Sequence, residues 1–264
     1  MHTNRIAGIV LAGGTGSRLA PTTRVVNKHL LPIYDRPAIS FSLDVMRDCG
    51  VETVAIVGNA PDDAAYSSIH RWLGYQDLAI RTVVQDRPDG VAGAIGCGYR
   101  KLQDQGFNRF VVMLGDTLYI GPTDWARDVV DQVSDRGAAV TVTEHPNPGD
   151  FGAVDCAANR SVLQVREKVP ADGPRLVCTG LYGFDDTLGE RIRAIKPSQR
   201  GELEVTSLLD SYITDSTLKA VTIPAGVHWF DIGTPDRLLD ASWTYRETAN
   251  RRRRAASLNP VGVL

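Results

Sequence analysis

Apolar residues along this chain occur in two alternating patterns, short continuous runs and stripes at helical spacing. The run over residues 6–12 contains no charged or polar side chain, which predicts a buried parallel strand. Ile39, Leu43 and Met46 then recur at helical spacing, and Gly50 stands where such a helix would end. Residues 51–57 form the next largely apolar run. The chain is therefore predicted to begin with a strand–helix–strand unit.

The same alternation continues to about residue 145. Further strands are predicted at residues 80–84, 110–114 and 138–143, and further helices at 64–73, 91–102 and along the stripe of Trp125, Val129 and Val133. Such alternation is typical of a three-layer, Rossmann-like α/β fold with a mostly parallel sheet. Ligands of these sheets bind beyond the carboxyl ends of the strands.

The second half of the chain has a more mixed pattern. It predicts strands at residues 151–155, 162–167, 176–184 and 218–223, and helices at 188–195, 203–214 and 235–247. This part is expected to be α+β in character and continuous with the first. One domain is predicted over residues 1–248, with parts at about 1–145 and 146–248. Residues 249–264, with four successive arginines, are predicted to be a solvated basic tail or frayed helix end.

Composition narrows the classes of partner. The net charge of −2 argues against bulk attraction to nucleic acid or to a membrane surface. The four cysteines form no CxxC pair, which favours reduced thiols in the cytoplasm over a zinc site or a disulfide scaffold. The N-terminus shows no signal-peptide pattern, and no apolar run approaches about 18 residues. A cytoplasmic protein with neither nucleic acid nor membrane as partner is expected.

A glycine-rich loop, Gly13-Gly14-Thr15-Gly16, follows the first strand and leads to Arg18. It is not a Walker A loop, since no Gly-Lys-Ser/Thr is present, and Leu19 replaces the third glycine of a dinucleotide fingerprint. The loop alone could be an ordinary turn. With Arg18 and Lys28 following it, a loop that surrounds phosphate oxygens with backbone N–H groups is favoured.

Two acids stand at points where apolar segments end. Asp116 follows the strand at 110–114, and Asp231 lies among apolar neighbours in Trp229-Phe230-Asp231. Carboxylates at the ligand edge of a sheet suit Mg²⁺, although Asp116 could instead be a helix N-cap or turn residue. Sequence spacing cannot show whether the two acids meet.

Two further polar groups end predicted strands and have two interpretations each. Gln85 could read the edge of a nucleobase or belong to a plain polar turn. Glu167 and Lys168 are a candidate acid and cation pair, or a surface ion pair.

Taken together, these residues resemble the sugar-1-phosphate nucleotidyltransferases, and most closely the glucose-1-phosphate thymidylyltransferases. The motifs occur in the family's order across about residues 6–242. They are Leu-Ala-Gly-Gly-Thr-Gly-Ser-Arg-Leu (11–19), Lys-His-Leu-Leu-Pro-Ile-Tyr-Asp-Arg-Pro (28–37), Gln-Asp-Arg-Pro-Asp-Gly-Val-Ala (85–92), Leu-Gly-Asp (114–116), Phe-Gly-Ala-Val (151–154), Arg-Glu-Lys (166–168), Thr-Gly-Leu-Tyr (179–182), Arg-Gly-Glu-Leu-Glu-Val-Thr (200–206) and Trp-Phe-Asp-Ile-Gly-Thr (229–234).

The resemblance implies a nucleotidyltransferase A-type fold, with a nucleotide-binding part at about 1–145 and a sugar-phosphate-binding part at about 146–248. It implies Mg²⁺ as cofactor, dTTP or UTP and a hexose-1-phosphate as substrates, and a homo-oligomer. The implied roles are nucleotide binding for Leu11, Gly13, Gly14, Thr15, Gly16, Gln85 and Gly90; catalysis for Arg18, Lys28 and Lys168; sugar-phosphate binding for Thr117, Phe151, Gly152, Glu167, Lys168 and Cys178; and metal binding for Asp116 and Asp231.

The chain departs from the family pattern at three places. Thr117 stands where many of these enzymes have Asn, Val91-Ala92-Gly93-Ala94 replaces Leu-Ala-Gln-Ala, and Val169 separates Lys168 from Pro170. The first two changes fall near the expected sugar and base sites. A different sugar- or cyclitol-1-phosphate or a different NTP is therefore an alternative. A further alternative is a non-catalytic nucleotide-sugar sensor on the same fold, although such a protein would tend to lose Arg18, Lys168 or one of the acids, all of which are present.

Overall fold

The computed structural model describes residues 4–85, 87, 89–167, 170 and 173–258. The strands are β1 (Ile6–Ala12), β2 (Pro32–Ile33), β3 (Arg36–Pro37), β4 (Thr53–Gly58), β5 (Ala79–Val84), β6 (Arg109–Leu114), β7 (Thr117–Ile120), β8 (Ala138–His145), β9 (Gly152–Cys156), β10 (Val162–Glu167), β11 (Arg175–Asp185), β12 (Leu218–Thr222) and β13 (His228–Asp231). The helices are α1 (Ile39–Asp48), α2 (Asp63–Leu73), α3 (Val91–Leu102), α4 (Arg127–Asp131), α5 (Leu188–Ala194), α6 (Val205–Thr214) and α7 (Pro235–Leu258).

A mixed sheet forms the centre of the molecule. Its longest path has the strand order β10-β9-β11-β6-β1-β4-β5, and β8 pairs with β11 and β12. Strands β6, β1, β4 and β5 are parallel, so their carboxyl ends share one edge. Strand β11 runs antiparallel to β6 and joins the second half of the chain to the first. The predicted α/β fold is confirmed, and the parallel part lies in the first half.

Helices cover both faces of this sheet, which gives the three layers. Buried side chains of α3, α5 and α6 pack against one face, and those of α1, α2 and α4 pack against the other. Strand β1 is buried along its whole length. This explains why it reads as a continuous apolar run, because a parallel strand covered on both faces has no solvent side.

A small second sheet crosses the ligand edge and was not predicted. Strands β7 and β13 pair antiparallel, with Asp231 opposite Thr117, and the Ile232 backbone N donates to the Asp116 carbonyl oxygen at 3.1 Å. Side chains of α7 pack beneath this pair in a third core cluster. The pairing brings the two candidate metal acids to neighbouring backbone positions.

The C-terminal helix is longer than the sequence predicts. α7 continues to Leu258, so residues 249–258 are helical where a tail or frayed end is predicted. Residues 259–264 lie outside the described part. Among the described helices, none is long and apolar enough to cross a membrane.

Candidate active site

The glycine-rich loop leaves the carboxyl end of β1 and turns sharply at Gly16. Gly16 has a left-handed backbone (φ 63°), which favours glycine. Its carbonyl oxygen accepts a hydrogen bond from Thr23 Oγ1 at 2.7 Å. The turn leads into a short 3-10 helix, Ser17–Leu19, in which Leu19 is buried and Arg18 is exposed. The Thr23 hydrogen bond and the buried Leu19 side chain thus fix the end of the loop, while the Arg18 side chain remains exposed.

Lys28 lies beneath this loop. It begins a 3-10 helix, Lys28–Leu30, capped by Asn27, whose Oδ1 accepts from the His29 backbone N at 2.9 Å. The Lys28 ammonium donates to Asp116 Oδ2. A Cβ built on Gly14 would lie 3.1 Å from Lys28 Nζ, so the glycine allows the lysine to approach the loop.

One cavity, of about 310 Å³, lies above the carboxyl ends of β1 and β6. Its walls contain predicted nucleotide-binding residues together with Lys28 and Asp116; the lining is Leu11, Gly13, Gly14, Lys28, His29, Gln85, Gly90, Val91, Ala94, Leu114, Asp116 and Glu202. Gln85 Nε2 donates to Asp89 Oδ1 at 2.8 Å, which fixes the orientation of the amide. The glycine-rich loop, the Lys28 ammonium and the oriented Gln85 amide thus border one space.

A second cavity, of about 190 Å³, adjoins the first and shares Val91, Leu114 and Asp116 with it. It contains seven of the residues predicted for sugar phosphate or metal, namely Asp116, Thr117, Phe151, Gly152, Glu167, Cys178 and Asp231. Phe151 and Trp229 form an aromatic wall with their ring centroids 4.9 Å apart. Trp229 Nε1 donates to the Thr179 carbonyl oxygen at 3.0 Å, which orients that wall.

Asp116 and Asp231 have pKa values displaced in opposite directions. Burial and the Asp116 charge raise the pKa of Asp231, despite the nearby Arg237, Lys28 and Arg18. Burial is the largest single influence and opposes ionisation of Asp116, but Lys28, His29 and hydrogen bonds to the carboxylate together outweigh it and lower the pKa of this group. Two neighbouring carboxylates therefore repel one another, and a further cation between them would stabilise both charges.

A divalent cation fits these residues. Asp231 Oδ1 is buried and has no hydrogen-bond partner among the described residues. Asp231 also lies opposite Thr117, the residue that follows Asp116. The described part of the chain holds no cluster of three or more His, Cys, Asp or Glu side chains arranged for a metal. One or two carboxylates are nevertheless the protein ligands that Mg²⁺ uses beside substrate phosphates.

His29 is a site residue that the sequence analysis missed. It lines the first cavity, is 1% exposed, and has Nδ1 2.7 Å from Asn27 Oδ1. Burial first, and the Lys28 charge second, lower its pKa from 6.5 to about 3. Only its place directly after Lys28 could have drawn attention to it.

The buried neutral state of His29 predicts a loss of stability in acid. Above pH 6.5 the contribution is complete, because the imidazole is neutral in both folded and unfolded chains. Between pH 6.5 and about 3 only the unfolded chain takes up this proton, so the free energy of unfolding should fall by on the order of 1 kcal/mol per pH unit. Urea unfolding of wild type and His29→Gln at pH 7 and pH 5 measures this. The variant should show a smaller pH dependence, and an identical slope would contradict the assignment.

The remaining predicted site residues are distributed as follows. Arg18 lies near the site through Gly233, where a built Cβ would be 2.5 Å from Arg18 Nη2 and 3.0 Å from Asp231 Oδ1. Thr15 is exposed on the loop and does not line either cavity. Lys168 lies outside the described residues. Asp150 and Trp229, which were not predicted as site residues, line the second cavity.

The model of one protein family, described as nucleotidyl transferase, matches residues 7–248. The chain belongs to this family. The match covers both cavities, and the resemblance drawn from the motifs is confirmed. The chain is therefore a nucleotidyltransferase enzyme.

Relatives agree with this membership. The chain is 35% identical over 240 residues to the glucose-1-phosphate thymidylyltransferase of Neisseria meningitidis serogroup A, covering 89% of this chain and 81% of that one. It is 33% identical over 238 residues to the enzyme of that name from Mycobacterium tuberculosis, covering 89% of this chain and 80% of the relative.

Solved structures agree with the fold. A Bacillus anthracis protein assigned as a glucose-1-phosphate thymidylyltransferase, crystallised with sucrose, matches with a TM-score of 0.78 and 30% identity, covering 92% of this chain and 96% of that one. A UDP-glucose pyrophosphorylase with bound UDP-glucose matches with a TM-score of 0.79 over 93% of this chain and 99% of that one. At 20% identity the second structure speaks for the fold alone.

Proposed function

We propose that this nucleotidyltransferase transfers a nucleotidyl group from dTTP or UTP to a hexose-1-phosphate, with glucose-1-phosphate as the first candidate. The observation that carries the proposal is the pair of adjoining cavities that share Asp116. One contains the residues predicted for the nucleotide and the other those predicted for the sugar phosphate. The names of the relatives from Neisseria meningitidis and Mycobacterium tuberculosis support the same pair of substrates.

In this proposal a sugar-phosphate oxygen attacks the α-phosphorus of the NTP. A new oxygen–phosphorus bond forms, the bond between the α-phosphorus and its bridging oxygen breaks, and pyrophosphate leaves with that electron pair. The nucleophile is already an anion at neutral pH, so no general base is required. Catalysis then depends on positioning two anions and neutralising their repulsion.

The cationic side chains supply that neutralisation. Arg18 and Lys28 would contact the triphosphate, and Lys168 the sugar phosphate. Asp116 and Asp231 would hold Mg²⁺, which when bound adds positive charge beside the phosphates. Gln85, with its amide oriented by Asp89, would pair with the imide edge of thymine or uracil.

The sugar side is assigned to the second cavity. Phe151, Gly152, Glu167 and Cys178 would contact the hexose, with Thr117 beside them in the same lining. Burial raises the pKa of the Cys178 thiol, so it remains protonated at neutral pH and acts as a neutral wall of the cavity.

A matrix of substrates tests the proposal. Purified protein with Mg²⁺ should release pyrophosphate from dTTP or UTP when glucose-1-phosphate or a related sugar-1-phosphate is present. The expected result is turnover with one thymine or uracil nucleotide and a preference among the sugars. Absence of turnover across four or five NTPs and several sugar phosphates would overturn it, and tight nucleotide-sugar binding without turnover would favour a sensor.

A further inference from the structure

Arg237 lies on the first turn of α7, beside the second cavity but not in its lining. Thr234 precedes the helix, and its Oγ1 accepts a hydrogen bond from the Arg237 backbone N at 3.3 Å. Pro235 occupies the first helical position, where its fixed φ suits a helix start. The backbone of Arg237 is therefore well fixed, close to where β13 ends at Asp231.

The Arg237 guanidinium joins two different walls of the cavity. Nη2 donates to Asp150 Oδ2 at 2.7 Å, and Nη1 donates to Asp231 Oδ2 at 3.4 Å. Its Cζ lies 5.3 Å from the centre of the Phe151 ring. The Arg237 side chain thus contacts Asp231, the Phe151 ring and the short 3-10 helix that precedes Phe151.

The 148–151 segment depends on such contacts. Its 3-10 helix, Pro148–Asp150, is a single turn, closed by the Phe151 N–H donating to the Pro148 carbonyl oxygen at 3.0 Å. The Asp150 and Asp231 side chains both line the cavity, and both carry negative charge. Without the guanidinium between them, these carboxylates would repel one another where an anionic sugar phosphate must enter.

Stability alone does not explain the arrangement. The Arg237 side chain is 30% exposed and that of Asp150 is 57% exposed. Ion pairs of this kind contribute only about 0–1 kcal/mol to folding. By contrast, the three residues that the guanidinium is shown to contact, Asp150, Asp231 and Phe151, belong to the cavity lining.

We propose that Arg237 is a positioning residue for the sugar phosphate, holding the 148–151 turn against Asp231. This rests on the proposed function, because it takes the second cavity as the sugar site. Loss of the guanidinium should loosen Phe151 and leave two facing carboxylates. Sugar-phosphate binding should weaken while nucleotide binding is unchanged. Outer contacts of this type are typically worth about 10- to 100-fold in affinity or activity.

Equilibrium binding of two ligands isolates this effect. The nucleotide sugar occupies both cavities, whereas the nucleoside diphosphate alone occupies the first. Calorimetry should compare dTDP-glucose with dTDP, or the corresponding pair from the most active combination in the substrate matrix. For Arg237→Met we expect about 10-fold weaker binding of the nucleotide sugar, a change below about 2-fold for the nucleoside diphosphate, and a Tm within about 2 °C of wild type.

Three variants serve as controls. Arg246→Met makes the same change further along α7, where the arginine contacts Glu247 and Trp243, and should leave both affinities unchanged. Arg237→Lys keeps the charge without the planar fork and should recover only part of the affinity. Asp150→Asn combined with Arg237→Met should add little to the single arginine change, because both remove the same contact.

Failure of this inference differs from failure of the proposed function. Equal weakening of both ligands, unchanged ratios with a lower Tm, or a wild type that binds both ligands equally would overturn the role of Arg237. A wild type that binds the nucleotide sugar more tightly but turns over no substrate would overturn the proposed function, and the effect of Arg237→Met on the binding ratio would still decide the inference.

Discussion

Asp116→Asn is expected to reduce turnover at least about 10³-fold, a loss of about 4 kcal/mol of transition-state stabilisation. Asp116 is the charged residue among the three that line both cavities, and it pairs with Lys28. The amide keeps the shape but removes the charge that pairs with the Lys28 ammonium and that, in the proposed function, would hold Mg²⁺. Initial rates of pyrophosphate release over a range of Mg²⁺ concentrations measure the effect, and added Mg²⁺ should not restore it.

A matched variant separates this loss from damage to the fold. Asp155→Asn on β9 also breaks one ion pair, that with Arg166 Nη2 at 2.7 Å, but Asp155 lines neither substrate cavity. It should retain nearly full activity. Near-normal turnover by Asp116→Asn, with its fold intact, would contradict the metal assignment; equal losses in both variants would attribute the effect to stability.

Local sequence signals predicted most of the fold correctly. β1, β4 and β6 are buried parallel strands, and such strands appear in the sequence as continuous apolar runs. β5 pairs parallel with β4 at the edge of the sheet and is only partly buried. The helices that cover these strands show apolar stripes at helical spacing, because only one face of each helix packs against the sheet. The extension of α7 to Leu258 was missed because the arginine-rich sequence lacks an apolar stripe. The helix nevertheless continues, because no Gly or Pro interrupts the sequence before Leu258.

The sequence motifs single out individual residues, many of which line the two cavities, but not their arrangement. Asp116 and Asp231 are far apart in sequence, and only the pairing of β7 with β13 brings them together. Strands of four residues in a small sheet leave too short a pattern to specify that pairing in advance. Arg237 illustrates the same limit. Its position at the start of a helix was readable from Pro235, but its contact with Asp150 depends on where the 148–151 turn lies.

Gly233→Ala is expected to lower kcat/KM for the NTP by about 10²-fold with little effect on folding. The added Cβ would lie 2.5 Å from Arg18 Nη2, closer than such atoms approach, and 3.1 Å from its Cζ, so the guanidinium must move. Because Arg18 is exposed, its flexible end can swing away at small cost in stability. Arg18 would then move away from Gly233 and Asp231. Misplacement of a catalytic group by about 1 Å can lower the rate about 10²-fold.

Comparison with Arg18→Gln decides whether the glycine acts through the arginine. Steady-state kinetics of the two single variants and the double variant should show similar losses, and the double should be little worse than either, since all remove the same contact. Gly96→Ala in α3 is the control, because its Cβ would meet only Ile192 Cγ2 at 3.2 Å and Arg100 Nη1 at 3.4 Å, outside both cavities. Wild-type kinetics in Gly233→Ala, or additive losses in the double variant, would show that Arg18 reaches the nucleotide by another route. The expected non-additivity would instead mean that a residue with no side chain determines where the first cation of the glycine-rich loop is held.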